Sequence, residues 1–192
     1  MIRPKVLIPL ALLAIGWSAL LAAQNPAPLD STIAALTPML GGWFPANVAG
    51  AARRPPPDYV VHRYEATVGG KAIRLREGFR GDPSQAEFDG LIYWDPRRER
   101  IVFVGVAGRG PGQGRTFTGE YRRLADGSIE RTYDVVYRTA ADTPAEELGG
   151  RWRRYRETFR MATADSVESR LEWWRDGRWQ PFGPGTYTVV RR

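Results

Sequence analysis

The chain has no cysteine and one histidine, His62, among its 192 residues. Without cysteine there is no thiolate nucleophile, no disulfide exchange and no Cys-ligated metal. Stability must come from the core, and no acylated Cys can follow the N-terminal apolar segment. A single histidine gives no His pair for a metal, and one His with no Ser or Cys partner at short range is not a catalytic constellation. No loop has the calcium-binding pattern; Asp142-Thr143-Pro144-Ala145-Glu146-Glu147 is acidic but irregular. No metal and no cofactor are therefore expected. Lysine is scarce too. Lys5 and Lys71 are the two present, and every other cation is arginine.

What is present begins with a secretory pattern. Arg3 and Lys5 give a positive start, Val6 to Leu21 is nearly all apolar, and Leu21-Ala22-Ala23 supplies small residues before Gln24. That order is a signal peptide over residues 1–23. The apolar run of about 16 residues is short of the ~20 that a spanning helix needs, although an uncleaved anchor is the alternative. Export with cleavage predicts a periplasmic or secreted protein with no stable membrane anchor. Removing Arg3 and Lys5 lowers the formal net charge from +7 to +5. The arginines are dispersed among acids and aromatics rather than gathered in a block. They read as a solvated outer face and not as a nucleic-acid surface.

Residues 24–30 form a short Pro-rich linker. Asp30 or Ser31 can cap a short helix through Thr32 to Leu36 that stops near Pro38. From residue 58 onward the pattern has period two. Lys71 to Arg80 sets Ile73, Leu75 and Phe79 on one face and Arg74, Arg76 and Arg80 on the other, as a strand with one buried face requires. Further strand candidates follow at Phe88–Trp94, Arg100–Val106, Phe117–Leu124, Ser128–Thr139, 151–161, Ser166–Trp174 and Thr186–Arg191. Most are joined by tight turns such as Ala125-Asp126-Gly127. Nine or ten short strands in a meander predict an all-β domain over residues 31–192. The expected form is an antiparallel up-and-down barrel, because closure removes the edges. The short helix can plug one end.

Four motifs in order carry a family resemblance. They are Leu40-Gly41-Gly42-Trp43, Gly90-Leu91-Ile92-Tyr93-Trp94-Asp95, Tyr155-Arg156-Glu157-Thr158 and Asp176-Gly177-Arg178-Trp179-Gln180-Pro181. Over roughly residues 36 to 192 the chain resembles the lipocalin-like (calycin-type) barrels, and more specifically the bacterial family DUF1579. The resemblance implies the fold and no settled activity. Haem-binding nitrobindin-like barrels share the architecture but use a His near the C-terminus. Here the one His, His62, lies on an early strand.

Two carboxylates stand out. Glu77 is in phase with Ile73, Leu75 and Phe79, and Glu157 is in phase with Tyr155, Phe159 and Met161, so both should point to the apolar side. A carboxylate there needs a cation or hydrogen-bond donors. Three readings follow: an internal network fixing register, orientation of a ligand, or acid–base work by the pair. His62 joins as the one side chain that titrates near neutrality unperturbed, with an ordinary structural role as the alternative. Trp94, Tyr133, Tyr137, Tyr155, Trp173 and Trp179 are candidate pocket aromatics, or ordinary core. The candidate ligand site is thus Glu77, Glu157, His62, Tyr133, Tyr155, Trp94 and Trp173, for a small, mostly apolar or amphipathic molecule. Gly108 to Arg115 lacks the Gly-Lys-Ser/Thr ending and the helix of a phosphate loop. It reads as a hairpin tip whose Arg109 and Arg115 could meet an anionic ligand at a barrel mouth. An enzyme using Glu77, Glu157 or His62, and a structural protein with a filled core, are the competing functions.

Overall fold

A computed structural model describes residues 28–46, 56, 58–108, 114–137 and 152–192. The expected signal segment, Arg109 and the acidic loop at 142–147 lie outside the described residues. The described chain forms ten strands: β1 (Gly41–Pro45), β2 (Tyr59–Thr67), β3 (Ala72–Arg80), β4 (Phe88–Asp95), β5 (Arg100–Ala107), β6 (Arg115–Arg123), β7 (Ile129–Tyr137), β8 (Trp152–Thr163), β9 (Ser166–Arg175) and β10 (Arg178–Arg191). Each pairs antiparallel with its successor, and β1 closes the ring on β10 through Trp43↔Arg191, Phe44↔Val190 and Pro45↔Val189. The protein is an all-β closed barrel, as the period-two pattern predicts.

Alternation builds the wall. On β7, Ile129, Arg131, Tyr133, Val135 and Tyr137 are buried, while Thr132, Asp134 and Val136 are less so. Outward residues form cross-strand ion ladders, including Arg74 with Asp89, Arg76 with Glu65, Arg100 with Glu120 and Arg154 with Asp134. The dispersed arginines are mainly this outer surface. Two outward acids, Glu130 and Glu172, are themselves covered by Arg122 and by Arg156 with Arg170.

The expected α-helix is instead a 3-10 helix over Ala34–Met39 that contains Pro38. Asp30 does not cap it. Its carboxylate closes a local turn, accepting from the Thr32 N–H and hydroxyl. A proline near the end of so short a segment removes a donor and favours the tighter turn. The plugging role stands: Ile33, Leu36 and Met39 are fully buried in the barrel core. Trp43 ties this end shut. Its indole N–H donates to Met39 O at 2.7 Å, and the Arg191 guanidinium lies 4.7 Å from its ring centre while donating to Pro38 O.

Two irregularities shape the opposite end. Gly78 has φ +71, and both Glu77 O and Gly78 O accept from the Glu87 N–H, which marks a bulge. Beyond it the phase changes. Val61 packs on the core, whereas the paired Val60 and Phe79 are buried outside the main cluster. Phe79 therefore does not share the inner face with Leu75. The strand expected at Thr186–Arg191 is the second part of a longer one, β10, with a register shift between Pro181 and Thr186.

Gly119, on the inner face of β6, is a packing requirement. A Cβ there would sit 2.3 Å from Thr132 O and 2.6 Å from the Phe103 ring. Gly119→Ala should cost about 1–3 kcal/mol by overpacking. At Gly114 an added Cβ meets, among the described residues, only Ala107 O at 3.6 Å, so Gly114→Ala should stay within about 0.5 kcal/mol of wild type. Urea melts of the two variants check the contrast.

Candidate functional site

A layer of polar side chains crosses the barrel interior. Arg131 from β7 is its centre. Its Nη1 donates to Glu77 Oε1 of β3 at 2.9 Å, and its Nη2 donates to Glu157 Oε2 of β8. The guanidinium lies within 5.0–5.9 Å of the ring centres of Tyr133, Phe103, Phe159 and Tyr121. Arginine suits the position because its planar fork serves two carboxylates and stacks on rings. Glu157 Oε1 also accepts from Ser169 Oγ at 2.9 Å and from the Tyr187 hydroxyl. His62 bridges the remaining gap, with Nδ1 3.0 Å from Glu77 Oε1 and Nε2 3.0 Å from the Tyr187 oxygen.

The hydrogen-bond pattern assigns protons. Tyr187 has one hydroxyl proton, and it goes to Glu157. His62 meets the Tyr187 oxygen through Nε2 and Glu77 Oε1 through Nδ1, so both of its ring nitrogens are engaged. The tyrosines are donors at any physiological pH. Burial pushes Tyr187 and Tyr133 well up and Tyr121 up to about 12. Burial also works to raise Glu77, but the charges of Arg131 and His62 and the hydrogen bonds from both outweigh it and hold the carboxyl at about 2.

Above this layer, at the end where β2 begins, the described residues surround a cavity. A cavity of about 370 Å³ has His62 and Glu77 among its lining residues. Its wall is an arc of aromatics in contact: Phe88 to Phe117 at 5.0 Å, Phe117 to Tyr133 at 6.0 Å, Tyr133 to Tyr155 at 5.4 Å, and Tyr155 to Phe182 at 5.2 Å between ring centres. Val135, Leu171 and Ala107 complete it, and Tyr59, Glu87, Arg115 and Tyr137 also line it. Its size is at the small end of ligand sites.

Of the residues expected in the site, Glu77, His62, Tyr133 and Tyr155 line the cavity together. Glu157 lies beneath, 2% exposed, within the polar layer. Trp173 packs on Phe182 behind the wall. Trp94 has the inward phase, but it lies six residues along β4 from Phe88, about 20 Å toward the plugged end. Trp179 lies under Arg156 with the cation 4.6 Å from its ring. Arg115 is placed at the cavity, against the Phe117 ring.

Arg131, Tyr187, Ser169, Phe88, Phe117 and Phe182 were not anticipated. A signal existed for three of them. Arg131 alternates with Ile129, Tyr133, Val135 and Tyr137; Ser169 with Val167, Leu171 and Trp173; Tyr187 with Val189. The chain matches no family model, and no curated protein matches it.

Two predictions follow from the polar layer. Glu157→Ala leaves Arg131 half-paired in the core and should cost about 3–5 kcal/mol, whereas Glu157→Gln, keeping shape and part of the bonding, should cost less; thermal melts separate them. The second concerns acid. Glu77 is depressed from 4.5 to about 2, so its contribution is complete above about pH 4.5 and is lost as pH falls toward 2. The loss is on the order of 3 kcal/mol. Urea melts at pH 7 and pH 3 should show about 2 kcal/mol of it, with a smaller difference in Glu77→Gln.

Proposed function

We propose that this is an exported, non-catalytic barrel protein, of the DUF1579-like kind, that binds a small, mostly apolar molecule in its interior. The observation that carries the reading is the aromatic-walled cavity of about 370 Å³ above a polar floor. A barrel kept for structure alone gains nothing from such a cavity, since lost packing costs stability. The aromatic arc supplies the apolar wall, and a few polar groups at the floor give orientation.

The floor favours binding over catalysis. A carboxylate held near 2 is a poor general base, because efficient proton transfer wants a group that titrates near the working pH. His62 has both ring nitrogens engaged by Glu77 and Tyr187. The outer arginines are paired with acids, which removes much of the field that an anionic polymer would need. Export rests on the N-terminal pattern. Among the described residues no helix is long and apolar enough to cross a membrane.

Native mass spectrometry of the protein purified from its own host tests both parts at once. The expected mass is that of a chain beginning near Gln24, carrying a small apolar molecule. Leu171→Trp, which fills the cavity, should lose that molecule while keeping the wild-type far-UV spectrum. Retention of the ligand by a folded Leu171→Trp variant would place it elsewhere, and an intact Met1 chain would reject cleavage.

A further inference from the structure

Glu77 is used on one side only. His62 and Arg131 both bond Oε1, and among the described residues Oε2 has no hydrogen-bond partner. The side chain keeps 23% exposure, against 2% for Glu157, and the cavity is where it is exposed. The cavity thus presents one ionised, unshared carboxylate oxygen at the floor of an aromatic cup.

We propose that the ligand is an organic cation: a protonated amine with an apolar body, its N–H donating to Glu77 Oε2. This rests on the small-molecule reading above and names its ligand class. Three ligand types compete for the cavity, and the floor separates them. A wholly apolar molecule, or an anion whose tail enters first, would strip water from Oε2 and leave a charged oxygen unsatisfied, a costly arrangement in a low-dielectric site. An anion entering head first meets the carboxylate directly. A neutral hydroxyl satisfies the oxygen with an ordinary hydrogen bond. An ammonium makes a charge-assisted bond, roughly twice as strong. It also meets a wall of rings, Phe88, Phe117, Tyr133, Tyr155 and Phe182, and cations are drawn to aromatic rings.

Arg131 is what keeps this acceptor ready. It lies on the far side of the carboxylate, bonded to Oε1, so it holds Glu77 ionised without covering Oε2. Among the described cavity-lining residues, Arg115 lies against Phe117 and His62 already bonds Glu77 Oε1, which leaves Oε2 to the ligand.

The test is isothermal titration at pH 7 with three probes of similar shape: phenethylamine, 2-phenylethanol and 3-phenylpropionate. The amine should bind about tenfold tighter than the alcohol or better, with the carboxylate weakest. Glu77→Gln should remove the amine's advantage to within about threefold while the alcohol still binds. The inference is overturned if the alcohol or the carboxylate binds as tightly as the amine, or if a folded Glu77→Gln protein keeps the amine preference. In those cases binding of a small molecule stands and only its charge class falls. If none of the three binds, both readings fall. Should Glu77→Gln not fold, the order of affinities in the wild-type protein decides.

Discussion

Arg131 is the constraint around which this barrel is arranged. A guanidinium cannot shed its charge at any physiological pH, so burying it obliges the fold to bring anions to it. Two strands answer, β3 with Glu77 and β8 with Glu157, and the three side chains lie in one layer. Because side chains alternate with period two, sliding β3 or β8 by one residue would turn its glutamate outward and leave the cation half-paired. The ion cluster is therefore better understood as a register lock than as a source of net stability. Desolvation offsets much of the Coulomb gain, while a wrong register incurs the whole penalty.

The same layer divides the interior into two unlike halves. Toward the plugged end, Ile33 and, from the 3-10 helix, Leu36 and Met39 share one core cluster with Trp43, Tyr64, Leu75, Ile92, Phe103 and Phe159, all nearly inaccessible. Inner-face glycines on β4, β5 and β6 make room for this and for Phe88: a Cβ at Gly105 would fall 2.3 Å from the Phe88 ring. Toward the mouth the bulge at Gly78 turns Val61 rather than Val60 to the core, and Ala107, Val135 and Leu171 are too short to fill the space. The cavity lies between the aromatic arc and these short side chains.

Period two made the wall of the barrel legible and left the depth of each residue hidden. Glu77 and Glu157 were found because a carboxylate in an apolar phase is conspicuous. Trp94 and Tyr133 have equally good inward phase, yet one sits near the plugged end and the other lines the cavity, because strand phase gives the face and not the height. Height depends on the shear of the closed sheet, and no single strand encodes it. Arg131 was hidden by company. In a chain whose outer face is an arginine ladder, one more arginine looks solvated. Only its position among Ile129, Tyr133, Val135 and Tyr137 separates it from Arg122 or Arg154. The 3-10 helix was placed within two residues at its start, but its type turned on Pro38.

A fixed negative charge and a working proton carrier make opposite demands on the same carboxylate. A general base must gain and lose a proton near the working pH, so its environment must leave the two states close in energy. Arg131 and His62 do the reverse to Glu77, stabilising the anion until its protonation lies far below neutrality. The four aromatic rings around Arg131 keep water from loosening that grip. What such an arrangement does well is hold a charge still at the base of a cup, with one oxygen engaged from below and the other turned upward. The polar layer that fixes strand register is for this reason also the feature on which the proposed binding role rests.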